Sequence, residues 1–494
     1  MKTTKLLAIL MAGVFFLSSC GVIIINDGKE TETSEIITTI PETEITYIPP
    51  EYPTIPDTDY HQLASDRVSA LPDADLNGLG VIIAVEKESG DFFNDETGAY
   101  VNYVNYRNSL VSQKYNTTII TIHKNAIDIH TDIRNAKNSG DYFADFVIIG
   151  GTYLGAYEAA NYIINMKALS FTDYENEYYD QDAIDQLSMG NVIYGVTGSA
   201  TEAPEQFGCL YFNKTLAAKY GIELDYKQIF ENGFTWDVYL EYLNAVDEDG
   251  VSFVSSLDDN SIALSSFMGA NKTFLKKSNG YFVPDYLNNS TRTLISNLKT
   301  LLSKRKSSIR KTVVTTDSNG NPVQTNARLS GFNIFCAGEA LSAFGTVENM
   351  NSLTNAGFSW EMLPIPLTEG QENYASSIPT TAPIVSFLSS SPNIDTCGYI
   401  LEALFAASYK YVKGQYIENA LKNCVSSVYT PDMLDIIFEN PVYDFAYAFS
   451  SASNALLAGT SNVFLSALTS NEDISYFYTT KIKNNLTKFL ESYK

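Results

Sequence analysis

Three short apolar runs do most to limit what this chain can fold into: Val81-Ile82-Ile83-Ala84-Val85, Ile119-Ile120-Thr121-Ile122 and Phe146-Val147-Ile148-Ile149. Each is rich in β-branched side chains and too short for a helix, so each predicts a buried strand. Between them, Tyr100 to Tyr115 and Ile127 to Ser139 have the length and pattern of helices. The order strand, helix, strand, helix, strand predicts an α/β fold with a parallel sheet, because parallel neighbours need a crossover and helices provide it. In open sheets of this kind ligands gather beyond the carboxyl ends of the strands. Attention therefore falls on the segments after Val85 and Ile149.

The N-terminus carries an independent signal. Lys2 and Lys5 precede an apolar run from Leu6 to Leu17, too short to span a bilayer comfortably, which reads as a secretory signal over residues 1–19. It closes on Leu17-Ser18-Ser19-Cys20, which resembles the lipobox of bacterial lipoproteins; the resemblance implies lipidation at Cys20, a membrane lipid anchor and an extracytoplasmic location. From Asn26 to Tyr60 the chain is rich in Thr, Glu, Pro and Asp and lacks a long apolar face. Such a composition cannot offset its chain entropy. Residues 20–76 are accordingly expected to be a lipidated N-terminus and disordered acidic tether, of which Asn26 to Tyr60 reaches at most about 100 Å in an extended polyproline-like form.

The remaining length exceeds a single core and predicts two lobes. With 32 basic against 57 acidic residues the formal net charge is −25. A surface of that sign repels phosphate backbones, which argues against nucleic acid. Cys209, Cys336, Cys397 and Cys424 form neither a CxxC pair nor a zinc pattern. They read as small buried apolar residues, with one bridge left open.

Further along, Gly208-Cys209-Leu210-Tyr211-Phe212-Asn213-Lys214, then Tyr220-Gly221-Ile222 and Phe234-Thr235-Trp236-Asp237, follow one another in the order of a known signature. They resemble the Tyr-Asn-Lys … Gly … Thr-Trp pattern of family 1 extracellular solute-binding proteins. Tyr194-Gly195-Val196-Thr197 resembles the family's Tyr-Gly-Leu-Pro crossing, with Thr197 in place of proline. Phe335 to Leu341 with Gly345 resembles its Phe-x-x-Gly-Lys-Ala-Ala-Met … Gly segment, Glu339 standing where lysine is usual, and Trp360 to Pro366 resembles its Pro-x-Pro return. The resemblance implies a two-lobed, periplasmic-binding-protein-like fold of type II, with discontinuous lobes over residues 77–197 plus 368–430 and 199–363 plus 431–494. It also implies a monomer that captures a sugar or short oligosaccharide and delivers it to the permease subunits of an ABC transporter.

A pyranose ring offers C–H faces to aromatic rings and hydroxyls to polar groups. With 33 Tyr, 27 Phe and only 2 Trp, the stacking platforms are expected to be Tyr or Phe, although most such rings fill cores. The candidates are Glu86, Asp91, Phe92 and Phe93 after the first strand, and Gly151, Thr152 and Tyr153 after the third; for the latter, a plain strand-to-helix turn capped by Thr152 is the competing account. Gln206 lies near the implied crossing, and Gly345, Thr346 and Glu348 follow a segment that lines the family's cleft. Tyr443 belongs with Asp444 and Tyr447 to a late cluster for which a helical core face competes.

Enzymatic signatures are lacking. There is no Gly-x-Ser-x-Gly elbow and no His-Glu-x-x-His, and the three histidines are His61, in the expected tether, His123 and His130. Gly150 and Gly155 have phosphate-loop spacing, but Ala156 and Tyr157 follow where Lys and Ser or Thr are needed. Asp73 to Gly78 opens like a calcium loop whose twelfth position would be Ala84, in an apolar strand. No catalytic residue, metal or cofactor is therefore expected. A secreted glycan-active enzyme with paired acids and a transporter-independent glycan-binding surface protein remain as alternatives.

Overall fold

The computed structural model describes residues 58–87, 93, 96, 100–201, 203–247, 250–279, 281–316, 322–378, 382–424, 426–449 and 458–491. The signal segment, Cys20, and the site candidates Asp91 and Phe92 lie outside them.

The first sheet contains β1 (Leu79–Glu86), β2 (Thr117–Lys124), β3 (Phe146–Gly150) and a late strand, β12 (Pro383–Phe387), in the order β12-β3-β1-β2. β1 pairs in parallel with both β2 and β3, whereas β12 runs antiparallel to β3. The intervening helices Val101–Tyr115 and Ala126–Ser139 end where the chain turns left-handed, at Asn116 (φ 48°) and Gly140 (φ 73°). That conformation is costly for residues other than Gly and Asn. Val81, Ile83, Val85, Val104, Phe146 and Leu401 sit in one buried cluster between this sheet and its helices.

The second sheet uses β4 (Gly208–Asn213), β5 (Val251–Ser255), β10 (Ala340–Thr346) and β11 (Trp360–Leu363), in the order β11-β4-β10-β5. Here β10 is antiparallel to β4 and parallel to β5. Leu210, Phe212, Phe253, Leu341, Leu298 and Met362 form its interior. A small ribbon, β6 (Leu275–Ser278) with β7 (Tyr281–Pro284), lies between β5 and the helix Asn289–Ser303 in sequence. β8 (Ser308–Thr316) and β9 (Pro322–Ser330) pair with each other, and residues 309–329 fall outside the larger compact unit. All else described here belongs to the larger unit.

The chain passes between the sheets more than once. Val196 bridges Val385 beside the first sheet just before the segment that leads to β4. On the return, Leu367 bridges Thr235, Ser377 bridges Gly208, and the chain then enters β12. A later passage follows the helix Val412–Cys424: the helix Thr430–Phe438 packs against β11, and Pro441 bridges Ser376. The result is a mixed α/β molecule with two sheets joined by crossing segments.

One expectation is corrected. The stretch assigned to the tether up to residue 76 folds from Tyr60 onward as a helix, Tyr60–Ala70, with Asp59 accepting from the Gln62 N–H at its start. Its anchors are Ala64 and Val68, one turn apart and both in the first-sheet core. His61 therefore lies on a helix rather than in a tether, its ring 4.4 Å from that of Tyr106. The calcium-like Asp75 instead holds a turn, accepting from the Asn77 N–H and the Asn116 side chain at 2.8 Å each.

Candidate functional site

The carboxyl ends of β1 and β3 are adjacent, and a carboxylate joins them. Glu86, the last residue of β1, is buried and accepts the Gly150 N–H at 2.6 Å. Directly after β3, Gly151–Tyr153 make one 3₁₀ turn. Glu86 and Tyr153 line an open cup of about 540 Å³ with residues 125–128, the start of the helix Ala126–Ser139. Asn125 caps that helix through the Asp128 N–H, and Ile127 is 77% exposed at the rim. The cup thus combines a phenol ring, an aliphatic surface and carboxylates, a lining suited to a ligand with both C–H faces and hydroxyls.

Gly151 and Tyr443 meet at a second, much smaller cavity of about 30 Å³, shared with Asp444 and Tyr447. Tyr443 ties the two halves together. Its hydroxyl donates to Asp180 at 2.9 Å, and its N–H donates to the Gln186 side chain at 2.9 Å. Both partners lie at the helix Gln181–Leu187, whose N-terminal flank Tyr178–Tyr179 is part of the first-sheet core. A second tie comes from Lys277 on β6, which donates to the Asp185 carbonyl and to the Ser188 hydroxyl. A third runs from Tyr100, whose hydroxyl donates to buried Glu205 at 3.0 Å.

Asp444 is enclosed: it accepts backbone N–H groups from Phe274 at 2.5 Å and Ala446 at 2.8 Å. Burial, the dominant influence, pushes its carboxyl up to about 7 despite those donors. Burial also raises Glu158, against a hydrogen bond from Tyr194. Away from the cup, burial raises the Glu361 carboxyl although Ser427, Tyr226 and Thr430 donate to it and Lys214 lies 3.8 Å away. That network lies between β11, the Tyr-Asn-Lys segment and the last crossing, and its role is to fasten them together.

The remaining candidates separate into distinct places. Gln206 belongs to the 3₁₀ turn Pro204–Gln206, which packs on the 3₁₀ segment Val347–Leu353; there the Val347 N–H donates to the Phe207 carbonyl. Thr346 and Asn349 form a capping box at the start of that segment. Gly345 gives the Asn349 side chain its room, since a Cβ there would lie 2.3 Å from Asn349 Oδ1. Glu348 is exposed beside them. Gln206, Gly345, Thr346 and Glu348 thus form one group, separate from the cup. Phe93 departs from expectation: it is 2% exposed within the first-sheet core, with the Arg107 guanidinium 4.2 Å from its ring centre. Its ring packs instead of facing a ligand.

A larger feature has no counterpart among the sequence candidates. A cavity of about 660 Å³ lies where the passages between the sheets converge, lined by Gln186, Lys272, Ser290, Gln371 and Asn440 among others. The polar run Thr368-Glu369-Gly370-Gln371-Glu372-Asn373, directly after the Pro-x-Pro segment, was its one visible trace.

No protein-family model matches the chain, and no curated protein is similar to it in sequence. Solved structures do share its fold. A cyclo/maltodextrin-binding protein complexed with maltotetraose is 10% identical, with a TM-score of 0.52 over 84% of this chain and 96% of its own. An ABC substrate-binding protein from Listeria monocytogenes, in complex with cycloalternan, is 11% identical, with a TM-score of 0.51 over 84% and 99%. The sugar-binding protein MalE from Xanthomonas citri is 13% identical, with a TM-score of 0.54 over 83% and 98%. The two-lobed, periplasmic-binding-protein-like α/β fold is therefore that of this chain.

Proposed function

We propose that this chain is an extracytoplasmic solute-binding lipoprotein that captures a sugar or short oligosaccharide and delivers it to an ABC permease. The observation that carries the reading is the extent of the shared fold, 84% of this chain against proteins solved with maltotetraose and cycloalternan. The signal-like N-terminus ending at Cys20 adds the anchor and the location.

In this reading the ligand lies between the lobes, with the ring of Tyr153 against a sugar face and hydroxyls held by Glu86, Asp91, Thr152, Gln206 and Glu348. Phe92 supplies a second ring, Gly151 leaves room for the ligand at the end of β3, and Gly345 and Thr346 border it from the other group. Tyr443 acts as a latch, because its two hydrogen bonds to Asp180 and Gln186 require the lobes to be close. The crossings near Thr197 and Leu363 absorb the backbone change on closure. The molecule binds and releases its sugar without chemistry.

The test is a thermal-shift and calorimetric screen with maltotetraose, cycloalternan and monosaccharides, followed by analysis of the recovered sugar. A ligand at a hundred times its dissociation constant stabilises the native state by about 2.7 kcal/mol, a readily measured rise in melting temperature. Failure of every saccharide to bind folded protein would defeat the sugar assignment. Hydrolysed product above background would instead favour a glycan-active enzyme.

A further inference from the structure

We propose that the 660 Å³ cavity at the lobe crossings is a second small-molecule site, which takes an anionic saccharide and pairs its negative group with Lys272. This goes beyond the proposed transport ligand, which is held by the cup formed by β1 and β3 and by the separate group of Gln206, Gly345, Thr346 and Glu348.

Lys272 is 9% exposed and lines the cavity wall. No described group hydrogen-bonds to its ammonium or lies within ion-pair distance. Burial of its side chain lowers its pKa, opposed in part by Asp285 and reinforced by the neighbouring Lys276. Asp285 itself is engaged 2.5 Å from Lys276. Lys272 is the one cation among the residues that line the cavity, and no described carboxylate lies within ion-pair distance of it.

The surroundings favour an anion bearing hydroxyls. Ser290 stands in the first turn of the fifteen-residue helix Asn289–Ser303, whose N-terminal end carries a partial positive charge and is capped by Asn288 at the Thr291 N–H. Gln186 and Asn440 add neutral amides, which match hydroxyl groups. The acids at the cavity, Asp182, Glu369 and Glu372, are all exposed, where solvent screens them, while the lysine side chain is mostly buried. The volume falls within the ordinary range for small-molecule sites.

The test is calorimetric titration of the full chain with D-glucuronate, using D-glucose at equal concentration as the neutral control and maltotetraose as the probe of the other site. Glucuronate is expected to bind, and glucose to bind at least tenfold more weakly. Lys272→Met, which keeps the aliphatic stem and removes the charge, should weaken glucuronate at least tenfold and leave maltotetraose unchanged. Ser290→Asp, which supplies an internal counter-charge at a position helices favour, should do the same and serves if the first variant fails to fold. Absence of glucuronate binding at millimolar concentration, or equal binding by wild type and both variants, overturns the proposal. Loss of maltotetraose binding in the wild type alone would count against the transport reading and leave this one standing.

Discussion

Replacing Asp444 by Asn should flatten the dependence of stability on pH. Asp444 is 6% exposed, and burial raises its folded-state pKa to about 7, while an unfolded Asp titrates near 3.9. Its folded pKa lies above the unfolded one, so its contribution is fully present below about pH 4 and is lost as pH rises through 7. Integrating the linkage relation over that interval gives a loss of about 2.5 kcal/mol between pH 5 and pH 8. The amide, like the protonated acid, carries no charge, and its oxygen still accepts from Phe274 or from Ala446. The two proteins should therefore be similarly stable near pH 4.5. At pH 8 the variant should be the more stable of the two. Urea unfolding at pH 5 and pH 8 measures this directly, as the change in unfolding free energy with pH for each protein. An identical pH dependence in Asp444→Asn and wild type would refute the reasoning and assign the wild-type loss to other groups.

Gly398→Ala should be severe, because a Cβ there would lie 1.7 Å from the Ser170 carbonyl oxygen; a loss of about 3 kcal/mol or more is expected by calorimetry, and an unchanged melting temperature would show the contact is loose. Tyr153→Ala should weaken sugar binding by about 1 kcal/mol with melting intact, whereas Phe93→Ala should cost about 3–5 kcal/mol of stability. The opposite pattern would return Phe93 to the ligand and Tyr153 to the core. Cys20→Ala should free the protein from the membrane fraction or leave its signal uncleaved, and continued membrane retention would exclude lipid anchoring.

The first sheet was legible because its strands are contiguous apolar runs: Val81 to Val85 reappears as the centre of β1 and Phe146 to Ile149 as nearly all of β3. The family-like motifs proved to be framework. Asn213 caps the helix Lys214–Lys219 at the Leu216 N–H and donates to the Gly338 carbonyl, while Thr235 caps the helix that buries Trp236. Local chemistry of this kind shows in sequence because donor and acceptor lie within a few residues of each other. The helix Tyr60–Ala70 did not show, since only Ala64 and Val68 are buried and a polar surface otherwise continues the tether's composition. The large cavity was illegible for a different reason: Gln186, Lys272, Ser290, Gln371 and Asn440 come from five separated segments, and only the crossings bring them together.

The four body cysteines are unpaired, and Cys209, Cys397 and Cys424 are buried. Burial raises all four thiols, Cys336 to about 11 and Cys209 and Cys397 further still. Thiolate is the reactive form, so the folded body withholds its sulfur from oxidants and from exchange. The protection exists only after folding is complete. The rate at which a thiol reagent consumes these sulfurs becomes a clock for how often each lobe opens. A chain that met an oxidant while half-folded would keep the record of that encounter as a mispaired disulfide.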